Sequence, residues 1–183
     1  MAKAVIFLAD GFEEIEALTV VDLLRRAGID ITTASIMGRK NVTGSHNITV
    51  ESDALFDEID FDSTDMLILP GGMPGTTNLD NCVPLKEQIT RFNEAGKMLA
   101  AICAAPTVYG KMGLLNGKKA TCFPGREPDL LGADVQTTET VKDGNFITSR
   151  GMGTAIPFGL AIIEHFQGAE AASEMAKKIV YLH

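Results

Sequence analysis

Met98-Leu99-Ala100-Ala101-Ile102-Cys103-Ala104-Ala105-Pro106 is the stretch on which the reading of the fold turns. Its first five residues form an apolar run too short for a helix, which predicts a strand buried on both faces at the centre of a sheet. Pro106 lacks an N–H and is tolerated only in the first turn of a helix, so a helix must start immediately after Cys103. A buried strand running straight into a helix is one half of a βαβ unit. Working outward, Lys3–Leu8, 29–35, Met66–Leu69 and Phe146–Ser149 read as further strands, with 120–122 and 135–139 as shorter candidates. Residues 13–27 carry Ile15, Leu18, Val21 and Leu24 near helical spacing, open with acids and close on Arg25, Arg26 and Gly28. Leu85, Ile89 and Phe92 mark a helix ending near Gly96, and 154–166 and 169–181 read as the last two helices. Residues 42–50 have no helical pattern between their parts and predict an antiparallel excursion. The alternation predicts one α/β domain over residues 1–183, a three-layer sandwich with a mainly parallel sheet and helices on both faces.

Composition narrows the function. At 45% hydrophobic and 22% charged residues the chain is too apolar for disorder, and no apolar run is long enough to span a membrane. A net charge of -8 repels a phosphate backbone, and no Lys/Arg cluster opposes that field, so nucleic acid is not expected as a partner. The apolar start ends at Asp10 without a signal-type cleavage region, and the three cysteines, Cys82, Cys103 and Cys122, form no C-x-x-C pair. A reducing cytoplasm is the expected location. His46, His165 and His183 fall in no metal-ligand spacing, so neither a metal nor any other cofactor is expected.

In open α/β sheets ligands bind beyond the carboxyl ends of the strands, which singles out three turns. Ala101-Ile102-Cys103-Ala104-Ala105 imitates G-x-S-x-G with cysteine as nucleophile, since a sharp strand-to-helix turn needs small residues two positions to either side. Helix amides pointing back at the sulfur favour its anion, so Cys103 is expected to titrate well below the free-thiol value of about 8.5. Gly71-Gly72, followed by Pro74 and Gly75, lets the backbone approach a ligand and present N–H groups to an oxyanion. Glu13, Glu14 and Glu16 open the first helix. The macrodipole accounts for Glu13 and Glu14, whereas Glu16, at the edge of a buried face marked by Ile15 and Leu18, leans over the strand ends, where desolvation would raise its pKa.

Together Gly11-Phe12-Glu13-Glu14-Ile15-Glu16, Leu69-Pro70-Gly71-Gly72 and Ala101-Ile102-Cys103-Ala104-Ala105-Pro106 resemble the ThiJ/PfpI superfamily, within it the branch typified by the parkinsonism-associated deglycase. Arg25-Arg26-Ala27-Gly28 and Thr148-Ser149-Arg150-Gly151-Met152-Gly153-Thr154 extend the resemblance over essentially the full length. It implies a flavodoxin-like fold, an easily oxidised Cys103, a protonated Glu16 hydrogen-bonded to it, and an anion site from the amides of Gly72 and Ala104. It further implies a homodimer built on the first helix, whose apolar positions Ile15, Leu18, Val20, Val21, Leu23 and Leu24 exceed one narrow stripe. The activities implied are glyoxalase-type conversion of small aldehydes or deglycation of their early adducts, with chaperone action or oxidative-stress sensing through Cys103 as the alternative. Two positions depart from the pattern. Phe123 stands where some members carry a histidine, and Ala104 stands where protease-like members carry one, so peptidase activity is not expected.

Overall fold

In the computed structural model, which describes residues 2–181, the alternation becomes β1 (Lys3–Leu8), α1 (Glu14–Arg26), β2 (Asp30–Ser35), β3 (Asn41–Thr43), β4 (Thr49–Glu51) and β5 (Ala54–Leu55). There follow β6 (Met66–Leu69), α2 (Gly75–Asn81), α3 (Val83–Glu94), β7 (Met98–Ile102), α4 (Pro106–Lys111) and β8 (Lys119–Ala120). The chain continues through β9 (Asp134–Val135), β10 (Thr140–Asp143), β11 (Phe146–Ser149), α5 (Ala155–Gln167) and α6 (Ala169–Lys178). His183, read above as no metal ligand, lies outside the described residues.

Seven strands pair in the order β10-β11-β7-β6-β1-β2-β5, and every pairing is parallel except that of β10 with β11. The run that reads as the central strand is β7, flanked by β6 and β11 and buried along its whole length. Period-two alternation divides the apolar side chains between two cores. Ile6, Ile68, Ala100, Ile102 and Ile147 pack under α1, α5 and α6, while Val5, Phe7, Leu67, Leu99 and Ala101 pack under α2, α3 and α4. Helices on both faces of a mostly parallel sheet are the expected sandwich. The excursion at 42–50 is the antiparallel pair β3–β4.

Differences lie at the edges. β5 and β10 carry no signal of their own in the sequence: β5 has two residues, and β10, Thr140-Val141-Lys142-Asp143, has a single buried apolar side chain. The candidate at 135–139 is instead the two-residue β9, which pairs in parallel with β8 away from the main sheet.

Register sets the working edge of the molecule. Ser149 lies opposite Ile102 and Ala101 opposite Leu69, so β11, β7 and β6 end level with one another, next to β1. The turns leaving those strands converge there.

Helix α4 is held against the chain at 129–130, where a Cβ on Gly110 would stand 2.2 Å from the Asp129 carbonyl oxygen and 2.7 Å from the Leu130 Cα. Alanine normally stabilises a helix over glycine by about 1 kcal/mol. Here Gly110→Ala is expected to lower stability by about 1–3 kcal/mol, because backbone must move to admit the methyl. Thermal melting checks the sign; a raised midpoint would contradict this packing.

Candidate active site

Cys103 leaves β7 with φ of 66°, in the left-handed region that non-glycine residues seldom occupy. Such a conformation costs on the order of 1–3 kcal/mol and persists only where the surroundings impose it. They do so from both sides: the Cys103 N–H donates to the Ser149 carbonyl (3.0 Å), and its own carbonyl accepts from the Phe123 N–H (2.7 Å). At the next residue, the Ala104 carbonyl accepts from the Thr107 N–H (3.1 Å) and Oγ1 (2.7 Å), which closes the first turn of α4. The strand-to-helix turn therefore aims Cys103 outward from the carboxyl edge of the sheet, half-buried.

Glu16 comes to the same point from α1. Its side chain is 1% exposed, its Oε2 accepts the Gly71 N–H at 2.9 Å, and it is hydrogen-bonded to the Cys103 side chain. Gly71 lies against both groups. A Cβ there would sit 2.5 Å from Glu16 Oε2, 2.5 Å from Cys103 Cβ and 3.1 Å from the sulfur. Only glycine permits carboxyl and sulfur to meet.

Burial lifts Glu16 to about 7, against smaller opposing hydrogen bonds from Cys103 and Gly71, and the charge of Glu13 adds to the rise. Burial and the Glu16 carboxylate push the Cys103 thiol up to about 12, while the amides of Ala104 and Gly72 pull the other way with less effect. The low thiol pKa expected from helix amides alone leaves out this burial and the opposing carboxylate. Two negative charges in this contact are what the site disfavours. Thiol with carboxylate and thiolate with carboxylic acid carry the same single charge, and they differ only in which atom holds the shared proton.

Three other expectations change. Ile15 and Leu18 do not mark the buried face of α1: Ile15 is 48% exposed, whereas Glu16, Ala17, Val20, Val21, Leu23 and Leu24 are buried. Glu16 lies inside the buried stripe rather than at its edge. Gly71, expected with Gly72 as an anion donor, has its N–H committed to Glu16, which leaves the Gly72 and Ala104 amides at the sulfur. Glu14 does more than answer the macrodipole. It is 4% exposed and accepts from the His46 N–H (2.8 Å) and the Ile48 N–H (3.4 Å), so it pins the β3–β4 turn. Burial alone would raise Glu14, but these amides, its own backbone N–H and the His46 ring together hold it below the usual carboxylate range.

Glu13, Glu14 and His46 bring their ligand atoms within 4.8 Å of one another, the spacing at which side chains can share a cation. No sequence spacing shows this, because His46 arrives from a loop more than thirty residues away. The departure at Phe123 is also placed: it is hydrogen-bonded through its backbone to Cys103 and exposes its ring.

Residues 2–165 match the model of the DJ-1/PfpI family. The chain belongs to the DJ-1/PfpI family. It is 38% identical over 180 residues to dj-1beta of Drosophila melanogaster, covering 97% of this chain and 96% of that one. The same identity links it to DJ-1 homolog B of Arabidopsis thaliana over 97% of this chain, which spans only 41% of that longer protein. A protein named a deglycase in Pyrococcus abyssi is 35% identical over 82% of this chain and 91% of its own length. Among solved structures, oxidized Toxoplasma gondii DJ-1 superposes with a TM-score of 0.96 at 31% identity, over 100% of both chains. The flavodoxin-like fold of the family is thus the fold of this chain, and among its described residues no helix is long and apolar enough to cross a membrane.

The raised Glu16 pKa has a thermodynamic signature. The folded state prefers the protonated carboxyl, so this contribution to stability is full below the usual value of 4.5 and is lost as pH rises through about 7. Glu16→Gln has no such dependence. Urea midpoints measured from acid to neutral pH should therefore show the variant gaining on wild type across that window; parallel profiles would mean that Glu16 is not desolvated.

Proposed function

We propose that this chain is a cofactor-independent cysteine enzyme acting on small reactive aldehydes or their early adducts, of glyoxalase or deglycase type. The observation that carries the reading is the buried Glu16 carboxyl in contact with Cys103, with the Gly72 and Ala104 amides at the sulfur. A shared proton between carboxyl and thiol supplies a nucleophile and an acid together. The relative named a deglycase supports an enzymatic role of this kind.

The chemistry balances without an external oxidant. The Cys103 sulfur adds to the aldehyde carbon of a 2-oxoaldehyde, forming a C–S bond, and Glu16 delivers its proton to the alkoxide. Glu16, now a carboxylate, takes the hydrogen of that carbon as a proton, and the electron pair moves toward the neighbouring carbonyl. Glu16 returns the proton to the second carbon while the hydroxyl proton passes to the second oxygen, leaving a 2-hydroxy thioester. Water then cleaves the C–S bond, releasing the 2-hydroxy acid and the thiol. One carbon is oxidised and its neighbour reduced, so the sum is aldehyde plus water. An early adduct that reopens to the aldehyde joins the same route.

A second reading, a redox sensor or redox-regulated chaperone acting through oxidation of Cys103, is favoured by the oxidized form of the Toxoplasma gondii relative. A carboxyl and amides that hold a thiolate also hold a sulfinate. We further propose a homodimer as the working unit. Of the apolar positions on α1, Ile15 and Leu18 alone stay exposed, and Ile48 and Met152 stand exposed around the same hollow as Ile15.

Methylglyoxal turnover to lactate by purified protein without added thiol tests the first reading. Cys103→Ser is expected to abolish it, and Glu16→Gln to reduce it by on the order of 10²-fold or more while Cys103 stays alkylatable. Thiolate absorbance that appears with a midpoint near 7 in wild type and is missing in Cys103→Ser would put the shared proton on the carboxyl. Absence of turnover in wild type, with ready peroxide oxidation, favours the sensor. For the dimer, light scattering should give twice the chain mass and Ile15→Glu should halve it; a monomeric wild type at micromolar concentration refutes the assembly.

A further inference from the structure

The proposed chemistry needs only the two carbons of the oxoaldehyde and is indifferent to what they carry. The structure is not. A groove of about 410 Å³ lies between Phe123-Pro124 and the turn 150–154, lined also by Arg150 and Met152. That volume lies within the usual range for small-molecule sites. Phe123 is 48% exposed and Met152, which also borders the hollow beside Ile15, is 53% exposed, so two large apolar side chains line a wall that none of the other described residues covers.

Two observations join this groove to the reacting atoms. The Phe123 N–H donates to the Cys103 carbonyl at 2.7 Å, so the ring is carried one hydrogen bond from the backbone of the nucleophile. Gly151 forms the seam. A Cβ there would lie 3.4 Å from the Phe123 ring and 4.0 Å from Glu16 Oε1, so ring and carboxyl flank one small residue. Gly151 itself is fixed by its N–H to Thr154 Oγ1 (3.0 Å), and Thr154 Oγ1 also meets Ser149 Oγ (2.7 Å) at the end of β11. The floor of the groove is therefore rigidly tied to the strand that supports Cys103.

We infer that Phe123 is a specificity-determining residue and that the groove receives an aromatic substituent, so that arylglyoxals are preferred over methylglyoxal. The inference rests on the aldehyde reading of the same site. A ring on the substrate gains an aromatic face and a thioether, contacts that a methyl group is too short to make. Arg150, whose guanidinium donates to the Thr137 carbonyl at 3.0 Å, gives the groove positive charge and disfavours cationic substituents.

Phenylglyoxal and methylglyoxal, assayed with wild type, Phe123→Ala and Phe123→Leu, provide the test. Wild type should favour phenylglyoxal in kcat/KM. Phe123→Ala should reduce that value about tenfold while changing methylglyoxal by less than about twofold, and Phe123→Leu should fall between. Intact mass after the assay checks that phenylglyoxal has not modified arginine. A second readout needs no turnover: mandelate, the hydroxy acid formed from phenylglyoxal, should slow iodoacetamide alkylation of Cys103 more than lactate does, and Phe123→Ala should erase the difference. If wild type protects in this way but turns over neither aldehyde, the groove stands and the aldehyde reading falls. If methylglyoxal is consumed without an aryl preference, and mandelate and lactate protect equally, the groove assignment is overturned. Loss of the dimer in Phe123→Ala with unchanged substrate ratios also overturns it, and makes this wall a contact between copies.

Discussion

The contact between the Glu16 carboxyl and the Cys103 sulfur constrains nearly everything around it. Two acidic groups with little access to water cannot both ionise, so the surroundings must accommodate a single negative charge and one shared proton. The sheet answers with geometry. α1 brings in the carboxyl, β7 the sulfur, and the turn after β6 contributes a residue without a Cβ where the two would otherwise be held apart. Backbone N–H groups fill the remaining positions, one from Gly71 on the carboxyl and those of Gly72 and Ala104 on the sulfur. A site made largely of amides is stiff, because its donors are fixed by secondary structure rather than by rotamers.

Much of this was legible in the residues. The apolar runs at Met98–Ile102 and Met66–Leu69 are bounded by breakers and have no helical alternative, so strand and turn follow from local chemistry. The strand-to-helix turn at Cys103 followed from Pro106 and the flanking alanines. What stayed hidden depends on partners distant in sequence. Gly71 looks like any turn glycine until Glu16, fifty-five positions away, is placed beside it. Glu14 passes for an ordinary first-turn acid until the β3–β4 turn folds over it.

The misreading of α1 has a specific cause. Hydrophobic spacing makes Ile15 and Leu18 look like core residues and Glu16 look like a neighbour at the rim. In the fold the polar residue is buried and the two apolar ones are bare. A periodicity argument assumes that apolar side chains face their own chain's core. It fails where a helix gives a buried position to a carboxyl and leaves apolar ones outside, a local inconsistency of the kind expected at functional sites.

Cys103 also stands where the backbone least favours an L-residue. Its φ of 66° suits glycine, and glycine there would relax the turn while removing the sulfur. The chain holds conformational energy on the order of 1–3 kcal/mol at the tip of the central strand, which glycine would release and cysteine retains. A search for thermostable variants that ignored function would be drawn to this position and would discard the nucleophile proposed above. On the proposed function, stability screens of this chain need an activity gate, because backbone preference and the sulfur make opposite demands on one residue.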